Sequence, residues 1–229
     1  MDSGSSAPED TEPEYKIIVV GNGTVGKTSL IRRYCEDGFG QGYKQTIGVD
    51  FYSKKVEIPG SQAVSLQIWD IGGQQIGGTM IANYVHGADA VCLVYDVTNP
   101  ASFKDVEDWR QSLLALQGNE EGRKPLMVLV GNKTDLPNRQ VTADMHAKAA
   151  SAYDMESILI SARSGDRVNA LFVMIAAKLA GVDISQQELD MTNRVVLSID
   201  SRLQERTQGL RATEGKEKRK SSNDNCCLM

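Results

Sequence analysis

Gly21-Asn22-Gly23-Thr24-Val25-Gly26-Lys27-Thr28 has the residue types and the spacing to hold a chain of phosphates. The run fits G-x-x-x-x-G-K-[ST]. In that pattern successive backbone N–H groups wrap phosphate oxygens, and the helix that follows adds the positive end of its dipole. Glycines at 21, 23 and 26 let the backbone close in where a Cβ would hold the phosphates off. The candidate contacts continue through Thr24, Val25, Lys27, Thr28 and Ser29, with Lys27 reaching the outer phosphates and the Thr28 hydroxyl ligating Mg2+. A glycine-rich turn with no ligand has the same composition, so context decides. Tyr15 to Val20 reads as a buried strand before the run, and Ser29 to Tyr34 as a helix after it, which is the setting phosphate binding requires.

Other polar groups follow later strands. In Asn132-Lys133-Thr134-Asp135 the carboxylate suits the N1–H and N2–H donors of guanine. Adenine offers no such pair and would leave Asp135 an unpaired buried charge. Asn132 can tie this loop to the phosphate loop, the Lys133 stem can lie over the base, and Ser161-Ala162-Arg163 can offer N–H groups to the guanine O6. Asp70 ends the third strand, where it can hold Mg2+ through water; Gly73 can bring a bare N–H to a γ-phosphate, and Gln74 is placed to orient an attacking water. Thr46 lies in a long loop and offers a hydroxyl to Mg2+ and an N–H to the γ-phosphate; taken by itself it is an ordinary loop threonine. The candidate catalytic set is therefore Gln74, Lys27 and Thr46, and the metal set Thr28, Thr46 and Asp70. Phe39 either packs edge-on to the guanine or anchors its loop as a core aromatic.

The elements that must position these groups alternate. Strands are expected at Tyr15–Val20, Phe51–Ile58, Ala63–Asp70, Ala90–Tyr95, Leu126–Val130 and Ser157–Ile160, with a turn at Pro59-Gly60. Helices are expected to about Glu36, over 102–117 with Ser102 or Asn99 as cap, near 141–153 and over 166–180. Unbroken apolar strands alternating with helices predict an α/β fold: six strands, mostly parallel with one antiparallel edge, and helices on both faces. In such sheets ligands lie beyond the carboxyl ends of the strands, where all the polar groups above fall. Residues 1–14 form an acidic tail expected to be disordered, residues 15–181 the domain, and 182–229 a tail; within it, 183–207 is either a helical extension or a linker.

With 229 residues, 41% of them apolar, 24% charged and a net charge of -5, the chain has no basic field to gather nucleic acid. It has no apolar run long enough to span a membrane, and its acidic start is unlike a signal peptide. Asp2 excludes N-myristoylation. Cys35 and Cys92 sit in apolar patterns as small buried hydrophobes and nothing suggests a disulfide framework, so the expected compartment is the cytosol.

The phosphate loop, Thr46-Ile47-Gly48, Trp69-Asp70-Ile71-Gly72-Gly73-Gln74, Asn132 to Asp135 and Ser161-Ala162 together resemble a Ras-superfamily small GTPase, a P-loop NTPase small G domain, over residues 15–181. Tyr43 to Phe51, Leu66 to Asp70 and Leu93 to Thr98 look like the Rab branch. That resemblance implies a switch between GDP and GTP forms, GTP hydrolysis with Mg2+, and recruitment of effectors in vesicle trafficking. Phe51, Trp69 and Tyr84 match the Rab hydrophobic triad, with Ile47 beside it, although three such residues are equally consistent with plain core. Gly72 stands where most Rabs have alanine, and Gln75-Ile76-Gly77-Gly78 replaces their usual Arg- and Tyr-bearing segment. Here the chain looks most like the divergent Rab twenty-eight subgroup, which implies endosomal or ciliary-base trafficking.

The chain ends Cys226-Cys227-Leu228-Met229. Read as C-a-a-X, Cys226 is the prenylation target and Met229 favours farnesyl; two geranylgeranyl groups, one of them on Cys227, are the other option. A single lipid anchors marginally, and Lys216, Lys218, Arg219 and Lys220 either add an electrostatic second signal or belong to a solvated tail. Expected partners are guanine nucleotide, an exchange factor, a GTPase-activating protein, effectors, a prenyltransferase and a prenyl-binding carrier. Nucleic acid is not among them. The expected location is the cytosolic face of the endosome, plasma membrane or ciliary base. The rival readings are a GTP-binding scaffold with negligible turnover and an ATP-using kinase or transporter ATPase, which would lack Asp135.

Overall fold

In the computed structural model, residues 12–36, 46, 48–72, 83–116 and 124–192 are described. Strands β1 (Glu14–Val20), β2 (Val49–Val56), β3 (Val64–Ile71), β4 (Ala90–Asp96), β5 (Leu126–Asn132) and β6 (Glu156–Leu159) form one sheet in the order β2-β3-β1-β4-β5-β6. All pairings are parallel except β2 with β3, which is the expected antiparallel edge. The β2–β3 turn falls where Pro59-Gly60 predicts it, with Gly60 at φ +73° and Ser61 N–H donating to Ile58 O.

The two-residue period of the strands builds two cores. Ile17, Val19, Cys92, Val94, Val128 and Val130 face one side, where α1 (Lys27–Glu36) brings Leu30, Ile31 and Tyr34 and α5 (Val168–Ala180) brings Leu171, Phe172 and Ile175. Ile18, Val20, Val91, Leu93 and Leu129 face the other, against Val106, Trp109 and Leu113 of α3 (Val106–Leu116) and Ala149 and Ala150 of α4 (Ala143–Ala152). Each such fully buried aliphatic side chain contributes about 1.5–3 kcal/mol, so a one-residue slip of β1 or β4 would forfeit both cores together. The register therefore fixes where every strand ends, which is what the site depends on.

Three expectations are corrected. The helix expected over 102–117 starts earlier and is broken: α2 (Pro100–Lys104) is capped by Asn99, whose Oδ1 accepts from Ala101 N–H, and it gives way to α3 at Asp105. Ser102 is not the cap but a buried residue whose hydroxyl accepts from Asp96 N–H and donates to Asn99 O. Cys35 is half-buried rather than fully enclosed, whereas burial raises the Cys92 thiol to about 12. Beyond α5, residues 186–192 are helical; Ser185 opens them with a capping box, its hydroxyl accepting from Glu188 N–H while the Glu188 carboxylate accepts from Ser185 N–H. The rest of the expected extension, 193–207, lies outside the described residues, as do residues 1–11. No described helix is long and apolar enough to cross a membrane.

One buried polar pair makes the fold sensitive to pH. His146 is 4% exposed, with Nδ1 at 3.0 Å from the Tyr95 hydroxyl. Burial, reinforced by the charge of Arg139, holds its imidazole down to about 4 from an ordinary 6.5. The unfolded chain then binds the extra proton between those two values, so this contribution is full above pH 6.5 and is lost as pH falls toward 4, by at most about 1.4 kcal/mol per pH unit. We expect His146→Gln, which keeps an acceptor for Tyr95, to flatten the drop in denaturation midpoint between pH 7 and 5 measured at fixed nucleotide. Parallel pH profiles for the two proteins would contradict this.

Candidate functional site

The turn after β1 carries the left-handed conformations that a phosphate-wrapping loop needs: φ is +134° at Gly21, +65° at Thr24 and +97° at Gly26. Gly26 also has no room for a side chain, since a Cβ there would stand 2.5 Å from Asn132 Nδ2. Lys27, 6% exposed, folds back over the loop and donates to Gly21 O at 2.8 Å and Asn22 O at 2.9 Å. Burial lowers its ammonium to about 8, against the pull of Asp70. A phosphate anion in the loop would be the natural partner for a cation held this way.

Thr28, Thr46 and Asp70 converge at the end of β3. Thr28 Oγ1 donates to Asp70 Oδ2 at 2.5 Å and lies 2.8 Å from Thr46 Oγ1, which is 3.4 Å from the same carboxylate oxygen. Asp70 is fully buried, and its other oxygen, Oδ1, has no hydrogen-bond partner among the described residues. Burial pushes its carboxyl up from the ordinary range, countered by Thr28 and Lys27. An anion buried with an orphaned oxygen beside two hydroxyls is a donor set suited to a hard divalent cation, so these residues fit Mg2+. Gly72 lets Thr46 come this close. A Cβ on it would stand 2.8 Å from Thr46 O and 3.3 Å from Gly48 O, and its N–H donates to Gly48 O.

Asn132 is the joint between the two halves of the site. It is 1% exposed; its amide donates to Val25 O at 2.8 Å, and its Oδ1 accepts from Lys133 N–H at 2.8 Å and Ala162 N–H at 3.0 Å. The Ala162 N–H expected to face guanine O6 is thus engaged by Asn132 here. Asp135 is set by Ser161, whose hydroxyl donates to Oδ1 at 2.7 Å, with Arg163 Nη1 at 3.9 Å from Oδ2. Lys133 sits at φ +70° and its ammonium is 2.7 Å from Asp96 Oδ2. Burial works against Asp96, yet bonds from Lys133 and Thr98 hold its carboxyl below the usual range.

Two contributors escaped the sequence reading. Asp96, at the carboxyl end of β4, stood among strand-end acids and could have been paired with Lys133 on that ground. Arg33, on α1, donates to Ala162 O at 3.2 Å and Arg163 O at 2.5 Å and so ties α1 to the loop after β6. Nothing in the helix spacing of Arg33 marks it, because its partners lie about 130 residues away.

On the outer face of β2 and β3, Phe51 is 53% exposed and meets Trp69 edge-on at 5.4 Å, while Trp69 lies 6.0 Å from Tyr84. These aromatics form a surface patch, with Lys16 Nζ over the Trp69 ring at 5.0 Å. Phe39, Ile47, Gly73, Gln74, the segment Gln75 to Gly78, the basic tail and Cys226 and Cys227 all lie outside the described residues.

The profile of the Ras family matches residues 16–181. The chain is 39% identical over 195 residues to Ras-related protein Rab-28 of Caenorhabditis elegans, covering 83% of this chain and 78% of that protein. It is 40% identical over 172 residues to Ras-related protein Rab-30 of Homo sapiens, covering 75% and 82%. The same figures hold for Rab-30 of Bos taurus.

Proposed function

We propose, for a chain that belongs to the Ras family of small GTPases and within it to the Rab proteins, that residues 15–181 work as a GTP/GDP switch serving endosomal or ciliary-base trafficking. The observation that carries this reading is the convergence of Thr28, Thr46 and Asp70 beside Lys27, on the sheet edge that also holds Asn132 and Asp135. Thr28 stands in the first turn of α1 and Thr46 in the loop before β2, so a ligand that holds both hydroxyls also fixes that loop, and losing its last phosphate frees it. Mg2+, when bound, supplies positive charge to neutralise the phosphate oxygens. Lys27 places its ammonium on the outer phosphates, and Gln74 orients the water for in-line attack on the γ-phosphorus. Asp135, turned by Ser161, accepts from guanine N1–H and N2–H. Phe51, Trp69 and Tyr84, with Ile47, are the effector surface, and a prenyl group on Cys226 or Cys227 holds the protein to the cytosolic leaflet.

The test is hydrolysis. Gln74→Leu is expected to slow single-turnover release of phosphate at least roughly tenfold while leaving GTP binding intact. An unchanged rate would remove Gln74 from the mechanism. Wild-type protein that releases no phosphate even with a GTPase-activating protein would be a GTP-holding scaffold instead.

A further inference from the structure

Asn22 occupies one of the four positions that the phosphate-loop pattern leaves free, and its side chain reaches away from that loop. Its amide donates to Asp105 Oδ2 at 2.6 Å, and its Oδ1 accepts from Trp109 Nε1 at 2.8 Å. Trp109 is 2% exposed within the core between the sheet and α3, and Asp105 is the residue where α2 gives way to α3. The backbone carbonyl of the same Asn22 accepts from Lys27 Nζ at 2.9 Å. The loop therefore hangs between two asparagines. Asn132 holds Val25 on one flank; Asn22 holds the other flank to a rigid, buried indole.

We propose that Asn22 is a positioning residue: by strapping the phosphate loop to Asp105 and Trp109 it keeps the loop in its ligand-holding shape and sets how long the nucleotide stays bound. The inference rests on the nucleotide-binding reading above. An amide is suited to this place because it donates to a carboxylate and accepts from an indole at the same time. Aspartate at position 22 would keep the acceptor for Trp109 but turn a second carboxylate on Asp105, and two such charges at hydrogen-bond distance repel. Asparagine at position 105 would still accept from Asn22 and lose only the charge.

This asymmetry gives a test. Full-length protein is loaded with fluorescent GDP in Mg2+, and release is timed for wild type, Asn22→Asp, Asp105→Asn and the double variant. Asn22→Asp should release about tenfold faster, the scale of losing one charge-assisted hydrogen bond, and Asp105→Asn should stay within about threefold of wild type. The double variant should return to within about threefold of wild type, because the amide now at 105 donates to the carboxylate now at 22. That rescue also shows that the loop tolerates the substitution and folds. A double variant as fast as Asn22→Asp would mean that negative charge near the phosphates, not the strap, speeds release. Equal rates in all four would likewise overturn the proposal. In both cases the nucleotide-binding reading survives; it fails only if the wild type retains no GDP at all, and the strap then fails with it.

Discussion

Asp135→Asn should convert the protein from a guanine binder to a xanthine binder. The carboxylate presents two acceptors to N1–H and N2–H; an asparagine presents one acceptor and one donor. Guanine then meets an amide N–H with its own N2–H, and the site loses a charged acceptor as well. The expected fall in GDP affinity is on the order of a hundredfold or more, since a site built to pair a donor is left with an unmet one. Xanthine carries an oxygen at position 2, which the new amide can donate to, so its diphosphate should gain while GDP loses. Ser161 keeps the side chain oriented in either case, as its hydroxyl bonds to Oδ1. Competition of GDP and xanthosine diphosphate against a labelled nucleotide measures both changes. Unaltered GDP affinity would mean that Asp135 reads no base.

Thr28→Asn acts at the other end of the site. The Thr28 hydroxyl stands 2.5 Å from Asp70 Oδ2 and 2.8 Å from Thr46 Oγ1, so the larger amide displaces both neighbours and puts N–H hydrogens where a cation would lie. Affinity for GTP in Mg2+ should drop by roughly tenfold or more, because each lost oxygen contact to a charge is worth about 1.5–3 kcal/mol. GDP should suffer less, as it depends less on Thr46. The discriminating control is removal of the metal by chelation, after which variant and wild type should release nucleotide at similar rates. A defect of equal size with and without Mg2+ would assign Thr28 a role in the loop rather than at a metal.

How much of this was legible in the sequence follows from what each contact depends on. The strands were, because Ile17 to Val20 or Ala90 to Tyr95 bury both faces and therefore read as unbroken apolar runs. The carboxyl ends of such runs are enough to place Asp70, Asn132 and Ser161 on one edge. The reach from Asn132 to the phosphate loop was also legible, because motif and strand order bring them near. The break at Asp105 was not: Phe103 to Leu113 keeps a helical apolar spacing across it. Nor was Asn22, whose indole and carboxylate partners lie more than 80 residues along the chain in positions that packing alone brings close. Residues 186–192 are the described part of the helical extension expected over 183–207, and Ser185-Gln186-Gln187-Glu188 is the capping-box sequence that places its start. Gly72 departs from the family pattern, but its reason, the carbonyl of Thr46 at 2.8 Å from where a Cβ would sit, is a tertiary fact.

On the function proposed above, the loop holding Lys27 binds a purine nucleotide whose base must be guanine. Equilibrium competition with purified full-length protein in Mg2+, setting GDP and GTP against ADP and ATP for one labelled guanine nucleotide, tests it most directly. The guanine nucleotides should win by at least about a thousandfold, the margin expected when the wrong base offers Asp135 no pair of N–H donors. Equal displacement by ATP and GTP would contradict the account.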